Sequence, residues 1–189
     1  MIDPSRPPTE RPPSGDRRES SLVLVNTGDG KGKSTAAFGT AMRAVARGWK
    51  VGVIQFLKSG DWSVGEEKIG RQLGIDWWAL GDGFTWDSKD MDESEAIARE
   101  AWARAKERIA SDEYDLLILD EVTYPVNWGW IDNDDLLAAI AARPPRLNLI
   151  LTGRDAPDDL VEVADTVTEM KKVKHAFDRG VIARRGIDY

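Results

Sequence analysis

Leu22-Val23-Leu24-Val25, followed by Thr27-Gly28-Asp29-Gly30-Lys31-Gly32-Lys33-Ser34-Thr35 and then a helical stretch to Arg47, decides the fold. The apolar run reads as a buried strand, and the glycines after it let the backbone curl so that successive N–H groups point inward. A helix opening at Lys33 adds its positive N-terminal dipole, Lys33 adds a full charge, and Ser34 adds a hydroxyl able to bind magnesium. This strand–loop–helix order is what a phosphate-binding loop over Gly28, Asp29, Gly30, Lys31, Gly32, Lys33, Ser34 and Thr35 requires. The usual G-x-x-x-x-G-K spacing would put a glycine at position 27, where this chain has Thr27; the glycine is Gly28, which predicts a tighter loop.

Working outward, short apolar runs alternate with helical patterns. Leu22–Val25, Val51–Phe56, Ile75–Leu80, Leu116–Leu119, Leu147–Leu151 and Thr166–Met170 are the candidate strands. Between them lie helices from Lys33 to Arg47, Glu66 to Leu73, Asp92 to Ala110, Asp132 to Ala142 and Asp158 to Ala164. The Asp92–Ala110 segment carries Ile97, Ala101, Ala105 and Ile109 on one face with Trp102 beside them. The alternation predicts an α/β fold of three layers, P-loop NTPase-like (RecA-like), around a mostly parallel sheet of about six strands. In such sheets ligands collect beyond the carboxyl ends of the strands. Residues 1–20, with Pro4, Pro7, Pro8, Pro12 and Pro13 among charges and serines, read as a disordered tail, leaving residues 21–189 as one domain that binds its ligands.

Composition narrows the function. No cysteine is present, which removes disulfides, zinc-thiolate sites, iron–sulfur clusters and a thiol nucleophile, and fits a cytoplasmic location. No apolar run approaches the length of a membrane span or a signal peptide. Twenty-six Lys plus Arg against 33 Asp plus Glu, a formal charge of -7, disfavours a dedicated nucleic-acid binder. Eight Trp against three Tyr and four Phe fit either core packing or, as a set, a large flat apolar ligand.

The second chemical element is Leu116-Leu117-Ile118-Leu119 followed by Asp120-Glu121, a buried strand that delivers carboxylates to its C-terminal end. Asp120 is the candidate to hold magnesium (or manganese) through water together with Ser34, and Glu121 is a nucleotide-site candidate. These residues describe a nucleotide-binding enzyme without choosing among kinase, hydrolase, motor and transferase.

The combination of Gly-Asp-Gly-Lys-Gly-Lys-Ser at 28–34, Gly83-Phe84-Thr85-Trp86, Leu119-Asp120-Glu121-Val122-Thr123-Tyr124 and Thr152-Gly153-Arg154 resembles the ATP:corrinoid adenosyltransferases of cobalamin synthesis and salvage. Val173-Lys174-His175-Ala176-Phe177-Asp178 and Gly186-Ile187-Asp188-Tyr189 resemble that family's C-terminal signature, so the likeness runs from about residue 22 to 189. It implies that ATP is an alkyl donor: the Co(I) of cob(I)alamin or another corrinoid attacks C5′ of the ribose, and the whole tripolyphosphate departs. Lys33 and Lys31 would then spread the leaving charge. The resemblance further implies that Phe84 and Trp86 act as a hydrophobic wedge that removes the lower axial ligand of Co(II) and eases its reduction. It also implies that a reductase or reduced flavoprotein supplies the electron and that the enzyme is a homodimer. Arg43, Lys58 and Arg154 either contact phosphates or the ribose or form surface ion pairs. Trp128 and Trp130 line either the corrinoid cavity or a dimer contact, and His175, among Lys171, Lys172, Lys174 and Arg179, either carries a structural hydrogen bond or faces anionic phosphate or corrinoid amides with that cluster. The competing expectation is a phosphate-loop ATPase or kinase using Lys33, Ser34 and Asp120 at the γ-phosphate.

Overall fold

The computed structural model describes residues 19–57, 65–81 and 91–188. Six strands, β1 (Val23–Thr27), β2 (Val51–Gln55), β3 (Asp76–Ala79), β4 (Leu116–Asp120), β5 (Asn148–Thr152) and β6 (Thr166–Glu169), form one sheet in the order β3-β2-β4-β5-β1-β6. Every pairing is parallel. Each expected strand is present, displaced by a residue or two at its ends. Parallel pairing requires crossovers, and the helices supply them: α1 (Lys33–Ala46), α2 (Gly65–Gln72), α3 (Met91–Ala110), α5 (Asn133–Ala141) and α6 (Asp158–Val163). The short helix α4 (Thr123–Asn127), and a 3-10 turn over Ala176–Arg179, were not foreshadowed, because Pro125 inside α4 breaks the pattern that reveals a helix.

Strand side chains alternate between two separate cores, which is what makes the molecule three-layered. On one face Val53, Ile118 and Ile150 pack against Ala37, Phe38, Ala41 and Ala44 of α1. On the other, Ile54, Leu117, Leu119, Leu149 and Leu151 pack against Ala101, Trp102, Ala105 and Ile109 of α3 and Leu136 and Ile140 of α5. Burying each such branched aliphatic side chain contributes about 1.5–3 kcal/mol. In α3 the buried stripe runs through Ala98, Ala101, Trp102, Ala105 and Ile109, while Ile97, expected on that face, is only half-buried. The Trp102 indole N–H donates to Asp135 Oδ2 at 2.8 Å, and Lys106 reaches the same oxygen at 2.6 Å, tying α3 to α5.

The N-terminal end of the sheet is closed by paired polar groups. Val23 N–H donates to Asp165 Oδ2 at 2.7 Å, Leu22 N–H to Asn148 Oδ1 at 2.9 Å, and Lys50 N–H to Asp115 Oδ2 at 2.9 Å. Asp76 accepts from the Tyr114 hydroxyl at 2.9 Å and pairs with Lys50 at 2.5 Å. Burial pushes the Asp76 carboxyl up, but these partners outweigh it and hold it below the usual carboxylate range. The same hydrogen bond, with burial as the larger cause, raises the Tyr114 hydroxyl.

Candidate functional site

At the opposite end of the sheet, the loop after β1 turns through Gly28 and reaches α1 at Gly32, which stands at the helix N-cap with φ 112°. Gly32 has no side chain to cap the first turn and no acidic residue follows there, so the N–H groups of that turn and the helix dipole face outward without local compensation. The loop lies against the segment after β6. Met170 N–H donates to Thr27 O at 2.7 Å, and Gly30 N–H donates back to Met170 O at 2.5 Å. A Cβ at Gly30 would stand 2.6 Å from that oxygen, so the position admits only glycine without displacing backbone. One loop N–H is therefore spent on the protein, while the loop from Asp29 to Thr35 lines the cavity.

Lys33 folds over its own loop: Nζ donates to Gly28 O at 2.6 Å and Gly30 O at 2.8 Å. Burial lowers its pKa from the ordinary lysine value, the Arg154 guanidinium lowers it further, and Asp29, Glu121 and Asp120 offset part of this. Lys33 and Arg154 line the same cavity, with Arg154 Nη1 3.8 Å from Asp29 Oδ1, and two cations on one half-buried space form a site whose electrostatics improve when a polyanion enters.

The acid strand β4 ends in a buried network. Asp120 is fully buried; Oδ2 accepts from Gln55 Nε2 at 2.9 Å and Oδ1 from the Thr152 hydroxyl at 2.7 Å. Gln55 Oε1 in turn accepts the Trp77 indole N–H at 2.8 Å. Asp120, expected to hold the metal through water, does not line the cavity itself, because its oxygens face neighbouring strand ends. Glu121 lines the cavity instead. Its φ of 65° is left-handed, which costs a non-glycine residue about 1–2 kcal/mol, and its N–H donates to Thr152 Oγ1 at 2.9 Å.

A cavity of about 540 Å³ collects these groups, within the range of small-molecule sites. Its floor is Asp29, Gly30, Lys31, Gly32, Lys33, Ser34 and Thr35; Glu121, Tyr124 and Arg154 form one wall. Arg154 follows Gly153, where a Cβ would meet Thr123 Oγ1 at 1.9 Å; Thr123 Oγ1 donates to Arg154 O at 2.7 Å, so the start of α4 fixes the arginine's backbone. Burial raises the Tyr124 hydroxyl. A further wall comes from the C-terminal segment through Lys172, His175, Phe177 and Asp188, with Asp188 paired to Lys31 at 2.5 Å, and Phe38 and Glu66 add to the lining. His175 Nδ1 accepts from Phe177 N–H at 3.1 Å and caps the 3-10 turn, a structural hydrogen bond that coexists with a place on the cavity wall.

Of the expected residues, Arg43 does not join this cavity. It is exposed in the last turn of α1, and the axial rise from Lys33, ten residues at 1.5 Å each, is about 15 Å. Gly28 backs onto Glu169 and Met170 rather than the cavity. Lys58, Phe84 and Trp86 lie outside the described residues. Trp130 packs tilted against Trp128 with ring centroids 4.7 Å apart, and Trp128 stands 5.7 Å from Tyr124, so these rings form a cluster beside the Tyr124 wall. Tyr124, Phe177 and Asp188 lie in the stretches that carry the family resemblance, but no site role was expected of them, because nothing in their local pattern points to a ligand and long-range folding brings them to the loop.

Comparison with known proteins matches residues 19–189 to a family model described as ATP:corrinoid adenosyltransferase BtuR/CobO/CobP. The chain is 45% identical over 171 residues to the corrinoid adenosyltransferase of Escherichia coli (strain K12), covering 90% of this chain and 87% of that one. It is 42% identical over 173 residues to the corrinoid adenosyltransferase CobA of Salmonella typhimurium (strain LT2), covering 92% and 88%. It is also 42% identical over 175 residues to the corrinoid adenosyltransferase of Pseudomonas aeruginosa, covering 92% and 86%.

Proposed function

The chain belongs to the ATP:corrinoid adenosyltransferase family BtuR/CobO/CobP, and from that premise we propose that it moves the 5′-deoxyadenosyl group of ATP to the Co(I) centre of cob(I)alamin or a related corrinoid. The Co(I) electron pair forms the Co–C5′ bond, the C5′–O bond breaks, and the leaving oxygen carries its electrons away in tripolyphosphate. The observation that carries this reading is the convergence of Lys33 and Arg154 on a loop whose helix N-terminus is uncapped, in a chain matching the family from end to end of its fold. No side-chain base is required, because the corrinoid is itself the nucleophile.

The chain's own residues bind, orient and shield. The first-turn N–H groups, Lys31, Lys33 and Arg154 receive the triphosphate, which replaces the loop carbonyls now bonded to Lys33. Fixing the phosphates fixes C5′ relative to the corrinoid, and excluding water protects the Co(I) centre. Ser34 and Glu121 present hard oxygens to one cavity, and among the described residues no cluster of three or more His, Cys, Asp or Glu forms a cage. That donor set suits a magnesium or manganese ion held by few protein oxygens plus phosphate and water. Ser34 and Glu121 would hold it, and its charge would stabilise the departing tripolyphosphate. Phe84 and Trp86 serve as the wedge that strips the lower ligand from Co(II). A cytoplasmic homodimer supplied with electrons by a reductase or reduced flavoprotein completes the reading.

The test is anaerobic: protein, Mg-ATP and chemically reduced cob(I)alamin are mixed, the corrinoid spectrum is followed and the phosphate product identified. A light-sensitive adenosylcorrinoid with stoichiometric tripolyphosphate is expected. ADP and phosphate without a corrinoid change would replace this reading with a γ-phosphate ATPase or kinase.

A further inference from the structure

The chain of buried hydrogen bonds across the strand ends has only one consistent direction. Trp77 Nε1 can only donate, so the Gln55 carbonyl must face it and the Gln55 amide N–H must face Asp120. Asp120 therefore accepts at Oδ2. The Thr152 hydroxyl has one proton, and because Oδ1 accepts it, the Thr152 oxygen is left to accept the Glu121 backbone N–H. Trp77 on β3, Gln55 on β2, Asp120 on β4 and Thr152 on β5 thus converge on a single outcome, which is to hold Glu121 in its left-handed conformation with φ 65°. Without that turn the residue after Asp120 would continue the strand, and its side chain would not be directed to the Lys33 cavity.

We infer that Asp120, Thr152, Gln55 and Trp77 are positioning residues for Glu121, and that Asp120 acts by anchoring the Thr152 hydroxyl and not by touching the metal ion. This rests on the reading that Glu121 is a metal-site acid. Conformational freedom at Glu121 then appears as weaker binding of the metal–nucleotide pair, while phosphate contacts made by the loop and Lys33 are untouched.

The test compares affinity for Mg-ATP with affinity for ATP in EDTA, measured by calorimetry, together with the magnesium midpoint for ATP binding. Thr152→Val keeps shape and removes the hydroxyl; Thr152→Ser restores the hydroxyl. We expect Thr152→Val to weaken Mg-ATP binding about tenfold and leave metal-free ATP binding within twofold, with Thr152→Ser recovering most of the loss. An equal effect on both forms of ATP, or no recovery with serine, overturns the inference. Glu121→Gln is measured alongside. If it leaves the magnesium midpoint unchanged, the metal-site reading of Glu121 fails and the inference with it; if it shifts the midpoint and Thr152→Val does not, only the positioning inference fails. Should Thr152→Val not fold, Trp77→Phe, which removes the terminal donor and keeps an aromatic ring, is expected to raise the same midpoint two- to threefold, and no shift overturns the inference.

Discussion

The two ends of one parallel sheet are built on opposite electrostatic plans. At the N-terminal end each carboxylate described above meets a donor: Asp165 a strand N–H, Asp115 another, Asp76 both Lys50 and Tyr114. At the C-terminal end Lys33 faces Arg154, the α1 N-terminus is uncapped, and Glu121 sits in a left-handed conformation. The first end satisfies itself and needs no ligand. At the second, Lys31 and Arg154 pair with Asp188 and Asp29 and Lys33 with loop carbonyls, partners that an entering polyanion would replace, and the Glu121 turn is held in place by packing around it. Stability and function are therefore separable along the strand direction.

The largest expected effect is at Lys33. Lys33→Ala is expected to weaken ATP binding by about 100-fold or more, in line with the loss of a charge aimed at a transferring polyphosphate. The thermal midpoint is expected to hold or rise, since a partly desolvated ammonium is removed. A large loss of stability in a melting experiment would break the contrast between the two ends. Next is Glu121→Gly, which relieves the positive φ: adenosyl transfer is expected to fall about tenfold while unfolding free energy stays level or rises by about 1 kcal/mol. Denaturant titration beside a turnover assay reads both, and a drop in stability would show that the conformation is not strained.

The smallest effect lies at the other end. Because the Asp76 carboxyl is held below its unfolded value of about 4, its contribution is present above that pH and is lost as pH falls toward the folded value. Asp76→Asn is expected to cost about 0.5–1 kcal/mol at pH 7, discounted for its exposed setting, and to flatten the stability profile between about pH 5 and pH 2. ATP affinity at pH 7 should not change; if it does, the two ends are coupled and the separation is sharper in charge than in energy.

Much of this was legible in the chain itself. The central strands follow from short apolar runs, since a strand buried on both faces needs no alternation, and the loop from Gly28 to Thr35 follows from local chemistry that a phosphate site needs in consecutive residues. The motif order from Gly28 to Tyr189 likewise pointed to the family before any fold was in hand. What tertiary structure alone decided is which side of the wall each acid occupies. Asp120 and Glu121 are adjacent and look equivalent as letters. A backbone turn at Glu121, held from Thr152 on another strand, sends one into the cavity and leaves the other behind it. Arg43 fell away for a similar reason, since helical rise carries it from the loop, while Tyr124, Phe177 and Asp188 arrived from distant positions. Local pattern encodes elements and contiguous loops because their physics is local; the far walls of a cavity depend on long-range packing, which no short stretch records.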